Sequence, residues 1–274
     1  MKMDITEKVI SYYSNYDEWG RLDREPLEFQ VNWHYMKKHL PKKGRVLDNG
    51  AGPGKYALKL AGEGYRVTLT DLTPKMVETA QAKAKEQNVS HQFEGFYARD
   101  ARQLTGLPEN TYHASLMLGP LYHLQKEQDR IQAVSELHRV TKKDGIVFVA
   151  CMSRVRHLIT SLQNPLSWKP NHTMDSINEF NSTGLFNHAE PGRFTGVYYF
   201  ELEEIKPFME SQGFQTLELI GSNVGAALSQ ESWNYWEQAG QEELSKVRRL
   251  IVEKASDPYI LGISSHLLYI GKKC

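Results

Sequence analysis

Val46-Leu-Asp-Asn-Gly-Ala-Gly-Pro-Gly-Lys-Tyr-Ala57 is the stretch that decides how the rest of the chain is read. An apolar run ends in Asp48, and glycines follow at alternate positions, Gly50, Gly52 and Gly54. An apolar periodic pattern then opens with Tyr56, Ala57, Leu58, Leu60 and Ala61. This is a strand, a tight turn and a helix start, the arrangement that lets backbone approach a nucleotide closely. The spacing is G-x-G-x-G, with Lys55 standing where the dinucleotide pattern G-x-G-x-x-G would place its last glycine. An acid ahead of the first glycine suits a ligand carrying an amine better than one carrying a pyrophosphate.

Downstream, Val67-Thr-Leu-Thr-Asp71 is a second short strand ending in an acid. In nucleotide-binding α/β units an acid at that place accepts hydrogen bonds from ribose hydroxyls. Thr73-Pro74 reads as an N-cap and a helix-compatible proline, opening a helix through Gln87. A third strand, His91 to Phe96, leads to Asp100, and a fourth runs from Ala114 into Leu118-Gly-Pro-Leu-Tyr-His-Leu124. A helix over Gln128 to Val140, a Lys-Lys-Asp-Gly145 turn and a fifth strand, Ile146 to Cys151, complete the block. Alternating strands and helices predict parallel strands with crossover helices.

The ordered set Asp48-x-Gly-x-Gly-x-Gly54, Asp71, Asp100-Ala101, the 118–124 loop and the Lys-Lys-Asp-Gly145 turn resembles the class I S-adenosylmethionine (SAM)-dependent methyltransferases. The resemblance covers residues 1–155 well and the remainder more loosely. The loop and the entry segment Tyr16-Asp-Glu-Trp19 look like a bacterial small-molecule branch. It implies an α/β, Rossmann-like three-layer αβα sandwich. Its seven-stranded, mainly parallel sheet would have an antiparallel last strand, and helical, aromatic cap insertions would be added to it.

The organisation expected is one structural domain. Residues 1–43 form a helical cap segment, and 44–152 the SAM-binding core. Residues 153–200 form a lid or substrate insertion, and 201–274 complete the sheet around a helical insertion at 225–254. Within these, Val155 to Leu162 reads as a helix start, Val197 to Phe200 as an aromatic strand, and Glu201 to Gln212 as a helix. Phe214 to Ile220 and Ile263 to Ile270 read as the two late strands. The insertion carries Trp233, Tyr235 and Trp236, and serves as a lid over the substrate site or as a subunit interface, the lid being favoured.

Composition narrows the function. The chain has 274 residues, and its 33 basic and 33 acidic residues cancel, so no electrostatic platform for nucleic acid is expected. Two cysteines do not make a disulfide framework. No apolar signal core or membrane-spanning run is present, and a cytoplasmic location is the simplest expectation. His172, His188 and His266 are scattered, and no cluster has metal-ligand spacing, so no metal is expected.

The resemblance assigns roles residue by residue. Gly50, Ala51, Gly52 and Gly54 would pass beneath the methionine moiety and ribose. Asp48 would hold the SAM amino group, directly or through a water, or else cap the strand end. Asp71 would take the ribose hydroxyls. Asp100 would reach the adenine amine, with the Ala101 amide on a ring nitrogen; Asp is equally a favoured helix cap. Leu72 and Met76 would flank adenine, or be core. Leu118, Tyr122 and His123 stand where strand ends deliver ligands. Tyr122 and His123 are the candidate catalytic pair, since a histidine takes protons near neutrality; a structural hydrogen bond is the alternative for His123. Tyr12, Tyr13, Tyr16 and Trp19 would close over the sulfonium from the N-terminal side, Tyr16 being the one placed in the cofactor site. Arg21 either meets the SAM carboxylate or is solvated.

The function implied is methyl transfer to a small-molecule acceptor, leaving S-adenosylhomocysteine (SAH), by a monomer or homodimer without nucleic-acid or membrane partners. The alternatives are an RNA or protein methyltransferase and a non-catalytic SAM-binding module. An aminopropyltransferase or a DNA amino-methyltransferase is disfavoured because Gly119-Pro120 lacks the acidic or amide residue those loops need, and an NAD enzyme by the glycine spacing.

Overall fold

The computed structural model describes residues 4–24, 26–223 and 228–274, with side chains of 22–24 outside that description. Three helices come first: α1 (Ile5–Asn15), α2 (Glu18–Arg24) and α3 (Pro26–His39). A capping box starts α1, with Asp4 accepting from the Glu7 amide and the Glu7 carboxylate accepting from the Asp4 amide. The core then alternates: β1 (Arg45–Asn49), α4 (Lys55–Gly62), β2 (Arg66–Asp71), α5 (Pro74–Glu86), β3 (Phe93–Ala98), β4 (Tyr112–Met117), α6 (Glu127–Val140) and β5 (Thr141–Met152). Further along lie α7 (Arg154–Gln163), α8 (Met174–Thr183), β6 (Leu185–Phe186), β7 (Val197–Tyr198), α9 (Leu202–Ser211) and β8 (Phe214–Gly221). The chain closes with α10 (Gln230–Gln238), α11 (Gln241–Lys254), α12 (Pro258–Ile263) and β9 (His266–Lys273).

Seven strands form one sheet in the order β3-β2-β1-β4-β5-β9-β8. All pairings are parallel except those of β9, which runs antiparallel to both β5 and β8. The expected sheet, with its antiparallel last strand, is therefore observed. The stretch 146–152 of β5 is a continuous apolar run, as helices covering both faces of a sheet require, whereas β2 alternates valine or leucine with threonine. Val46, Val67, Leu69, Ala114, Leu116 and Phe148 pack under α3 and α4 on one side. Met117, Val147, Val149 and Tyr269 pack under α6 and α9 on the other.

Several expectations change in detail. The Lys-Lys-Asp-Gly145 turn is absorbed into β5. The strand pairs with β4 on both sides of it, Tyr112 with Thr141 and Ala114 with Ile146, so the extra residues form a bulge. Asp144 takes a left-handed φ of 61° there. The aromatic strand shortens to Val197–Tyr198, paired only with Leu185–Phe186. Beyond Pro165 and Pro170, where the sequence reading assigns no element, lies α8, capped by Thr173 and ended by Gly184 at φ 68°. Ile263 ends α12 and does not open the last strand.

The late insertion resolves into α10 and α11 with Gly240 between them; its first residues, Gly225 to Ala227, lie outside the described residues. It docks on the α3 side. Trp233, Val252 and Ala255 join the main core, and Tyr35 Oη donates to the Val252 carbonyl at 3.2 Å. Among the described residues, no helix is long and apolar enough to cross a membrane.

One polar contact ties the sheet's closing strand to its middle. Lys273, 7% exposed, donates from Nζ to Asn110 Oδ1, the His138 carbonyl and the Thr141 carbonyl at 2.7–2.9 Å. Lys273→Met keeps the stem and removes these charged donors, and should cost about 2–3 kcal/mol in urea unfolding. An unchanged unfolding midpoint would show that water replaces the ammonium without penalty.

Candidate functional site

The C-terminal ends of β1, β2 and β4 meet beneath α1 and α2, where ligands bind in open α/β sheets. A cavity of about 140 Å³ lies there. Its floor is the turn between β1 and α4. Gly50, Gly52 and Gly54 all adopt left-handed φ, 73°, 55° and 84°, which side-chain-bearing residues rarely take. The amides of Gly50 and Ala51 both donate to the Thr70 carbonyl, at 2.8 and 3.0 Å, fixing the turn to β2.

The three glycines serve different ends. A Cβ on Gly50 would lie 2.1 Å from Pro120 Cγ, so the floor and the 118–124 loop touch only because the position is bare. A Cβ on Gly54 would crowd Ala80 and Leu69 at 3.0 Å, so this glycine seats α4 against α5 and β2 and does not reach the cavity wall. Gly52 has only ordinary contact with Glu18 Cγ, at 3.6 Å, and its amide donates to Asp71 Oδ2 at 2.8 Å.

Asp71 is held from both sides, its Oδ1 accepting from the Thr73 amide at 2.8 Å. Burial raises its pKa, and the two amides oppose the shift. Each carboxylate oxygen retains a lone pair for a further donor, and the residue lines the cavity with Leu72, Met76, Ala101, Leu118, Tyr122 and His123. Asp100 is also in the wall, but Arg102 grips it through Nε at 3.0 Å and Nη2 at 2.6 Å, and bridges on to Asp129 at 3.1 Å. Burial would raise the Asp100 pKa; the Arg102 contacts outweigh it and leave it lowered.

Besides Gly54, two further expected members, Asp48 and Tyr16, stand outside the wall. Asp48 lies beneath it, 1% exposed, with Oδ2 lacking a partner. Burial, and then the charge of Asp71, push its pKa up to about 7, against the pull of the Ala57 amide at the start of α4. Tyr16 faces a neighbouring groove between α1 and residues 188–195, stacked on Tyr12 at 5.1 Å. Trp19 is also absent from the wall and lies between Lys55 and Lys83, 5.2 and 5.1 Å from its ring. Of the four entry aromatics, Tyr13 alone reaches the cavity.

Tyr13 Oη lies 2.9 Å from His123 Nε2. The imidazole is packed edge-on against Tyr13 and Phe194. Burial lowers its pKa to about 4, opposed by the backbone of Gly196 and Thr195. The ring is therefore neutral near pH 7, with Nε2 available to accept the Tyr13 hydroxyl. Tyr122, 7% exposed, donates to the Leu118 carbonyl at 3.3 Å.

The charged wall opposite comes from α2, and the sequence reading left most of it unassigned. Glu18 pairs with Arg21 at 2.8 Å, Arg21 with Glu28 at 3.1 Å, and Glu28 with His266 Nδ1 at 2.9 Å. Glu28 is buried, which would raise its pKa, yet His266 and Arg21 hold it down to about 2. Thr6, Val9 and Asn49 also line the cavity. The four-residue spacing of Val9 and Tyr13 on amphipathic α1 is the sequence signal for the part of the wall that α1 supplies. No residue of 153–200 or of the described part of 225–254 lines it; the cover comes from α1 and α2.

Residues 46–145 match the family described as a methyltransferase domain. A protein of Geobacillus sp. (strain WCH70) named as a methyltransferase is 31% identical over 220 residues, covering 72% of this chain and 87% of that protein. The chain belongs to the SAM-dependent methyltransferases. YqeM of Bacillus subtilis (strain 168), also named as a methyltransferase, is 31% identical over 136 residues, 50% of this chain and 52% of that protein. Among solved structures, the Burkholderia thailandensis 1,6-didemethyltoxoflavin-N1-methyltransferase with bound SAH shares the fold. Its TM-score is 0.58 at 17% identity, covering 98% of this chain and 86% of that one. The left-handed glycine floor and the doubly held Asp71 of this methyltransferase fit an adenosyl cofactor.

The buried Asp48 yields a pH prediction. Its folded pKa, about 7, lies above the ordinary 3.8, so its contribution is fully present below the lower value and is lost as pH rises through the higher one. Asp48→Asn should raise the Tm of the ligand-free protein at about pH 8 and change it little at about pH 4. A Tm difference independent of pH would show that Asp48 does not titrate there.

Proposed function

We propose that this methyltransferase transfers the methyl group of SAM to a small-molecule acceptor seated against Tyr13, Tyr122 and His123. In this reading Asp71 takes the ribose hydroxyls, and Leu72, Met76 and Ala101 flank the purine. Asp100, steadied by Arg102, faces the adenine amine. The backbone of Gly50, Ala51 and Gly52 with Leu118 runs along the methionine portion. Asp48 acts on the amino group through a water, and Arg21 meets the carboxylate. SAM supplies a methyl already activated by positively charged sulfur. The chain's task is therefore alignment and exclusion of water, and positioning of this kind supplies ~7–11 kcal/mol of barrier reduction.

The observation that carries the reading is the Tyr13–His123 pair, half-buried at the cavity wall with an N–O distance of 2.9 Å. As the new bond to carbon forms, the acceptor's O–H or N–H becomes strongly acidic, so a weak base is enough. The proton passes to the Tyr13 oxygen while the Tyr13 proton passes to His123 Nε2. The cover formed by α1 and α2 favours a small acceptor over a polymer, and the equal numbers of basic and acidic residues favour it over RNA.

Methyl-labelled SAM, incubated with the low-molecular-weight, RNA and protein fractions of a cell extract, should label the first alone. Label in RNA or protein would overturn the small-molecule reading. His123→Ala should lower kcat on the labelled fraction by about 100-fold while leaving SAH affinity unchanged. Full activity would make this histidine structural.

A further inference from the structure

Asn49 ends β1, is wholly buried and lines the cavity. Its Oδ1 accepts from Thr70 Oγ1 at 2.9 Å, which ties the carboxamide to β2. Its Nδ2 has no hydrogen-bond partner. A buried amide donor without a partner is destabilising, and a leucine of similar volume would fill the place with nothing to satisfy. Whatever answers this donor therefore enters through the cavity that Asn49 lines.

The surroundings narrow what that is. The donor is uncharged and offers nothing to an ammonium or a sulfonium, so its partner is an acceptor atom. The tether runs to Thr70, one residue before Asp71, on the side of the cavity assigned to ribose and purine. The amino-acid end is assigned to the turn that follows Asn49, from Gly50 to Gly52, and to Arg21 of α2, both beyond the Thr70 tether.

We propose that Asn49 is a specificity-determining residue of the cofactor site, its carboxamide N–H donating to a purine ring nitrogen or ribose oxygen of the adenosine half. This rests on the cofactor assignment above. The role is distinct from those of Asp71 and Asp100. Those carboxylates accept hydrogen bonds from the ligand, whereas Asn49 supplies a side-chain donor.

Calorimetric titration with SAH and with 5′-methylthioadenosine, which keeps the adenosine and lacks the amino acid, separates the outcomes. Asn49→Leu should weaken both by about tenfold, leaving their affinity ratio unchanged. Thr70→Val releases the tether and should weaken both by a smaller factor. Unchanged SAH affinity in a folded Asn49→Leu protein would mean that water alone answers the amide, and would overturn the proposal. A loss confined to SAH would also overturn it, by placing the donor at the amino-acid end. Should Asn49→Leu fail to fold, unchanged binding of both compounds by Thr70→Val would do the same. Wild-type protein that binds neither compound would remove the cofactor assignment itself, and this is read before any variant is made.

Discussion

Gly50 and Pro120 touch, and much of the site depends on that contact. The turn after β1 leans on the loop after β4, with no room for a Cβ between them. Two amides bonded to one carbonyl of β2 hold the same turn from the other side. Three parallel strands thus fix one short piece of left-handed backbone, and its geometry presents the Gly52 amide to Asp71. The acid that would grip a ribose is oriented by the same turn that would lie beneath the methionine.

The second constraint is the cover. α1, with Val9 buried on its amphipathic inner face, lies with α2 over the cavity. They are joined to the sheet by polar and aromatic contacts. Lys55 donates to the Trp19 carbonyl at 3.1 Å, Lys75 to the Ser14 carbonyl at 2.6 Å, and Arg21 joins Glu28 of α3, which pairs with His266 on β9. Of these contacts the one from Lys75 is exposed, whereas the others are part-buried and Glu28 is buried. The exposed contact is individually weak, whereas removing one partner of the buried Arg21–Glu28–His266 chain would leave a charge unpaired, and that chain helps to hold the cover where Tyr13 meets His123.

Much of this was legible in the sequence because it is local. The glycine triplet, Asp71 and Asp100 sit at fixed distances from strands whose apolar runs are unmistakable, so fold and floor followed together. What was not legible depends on tertiary approach. The aromatic insertion at 225–254 invited a lid reading, yet Trp233 and Val252 complete the core beside α3. Tyr16 and Tyr13 are equivalent as letters; only the rotation of α1 decides that Tyr13 enters the cavity and Tyr16 leaves it. Asn49 hides within the strongest motif of the chain, where an unsatisfied amide shows itself only once the neighbours are in place. α8 was masked by Pro165 and Pro170 just ahead of it, since breakers mark where helices stop and not where the next begins.

A structure of the protein with SAH would test the account most directly. It predicts both ribose hydroxyls within hydrogen-bonding distance of the Asp71 carboxylate, the purine between Leu72 and Ala101, and the thioether facing Tyr13 and His123. SAH bound in the groove between α1 and residues 188–195, with the glycine floor bare, would contradict it.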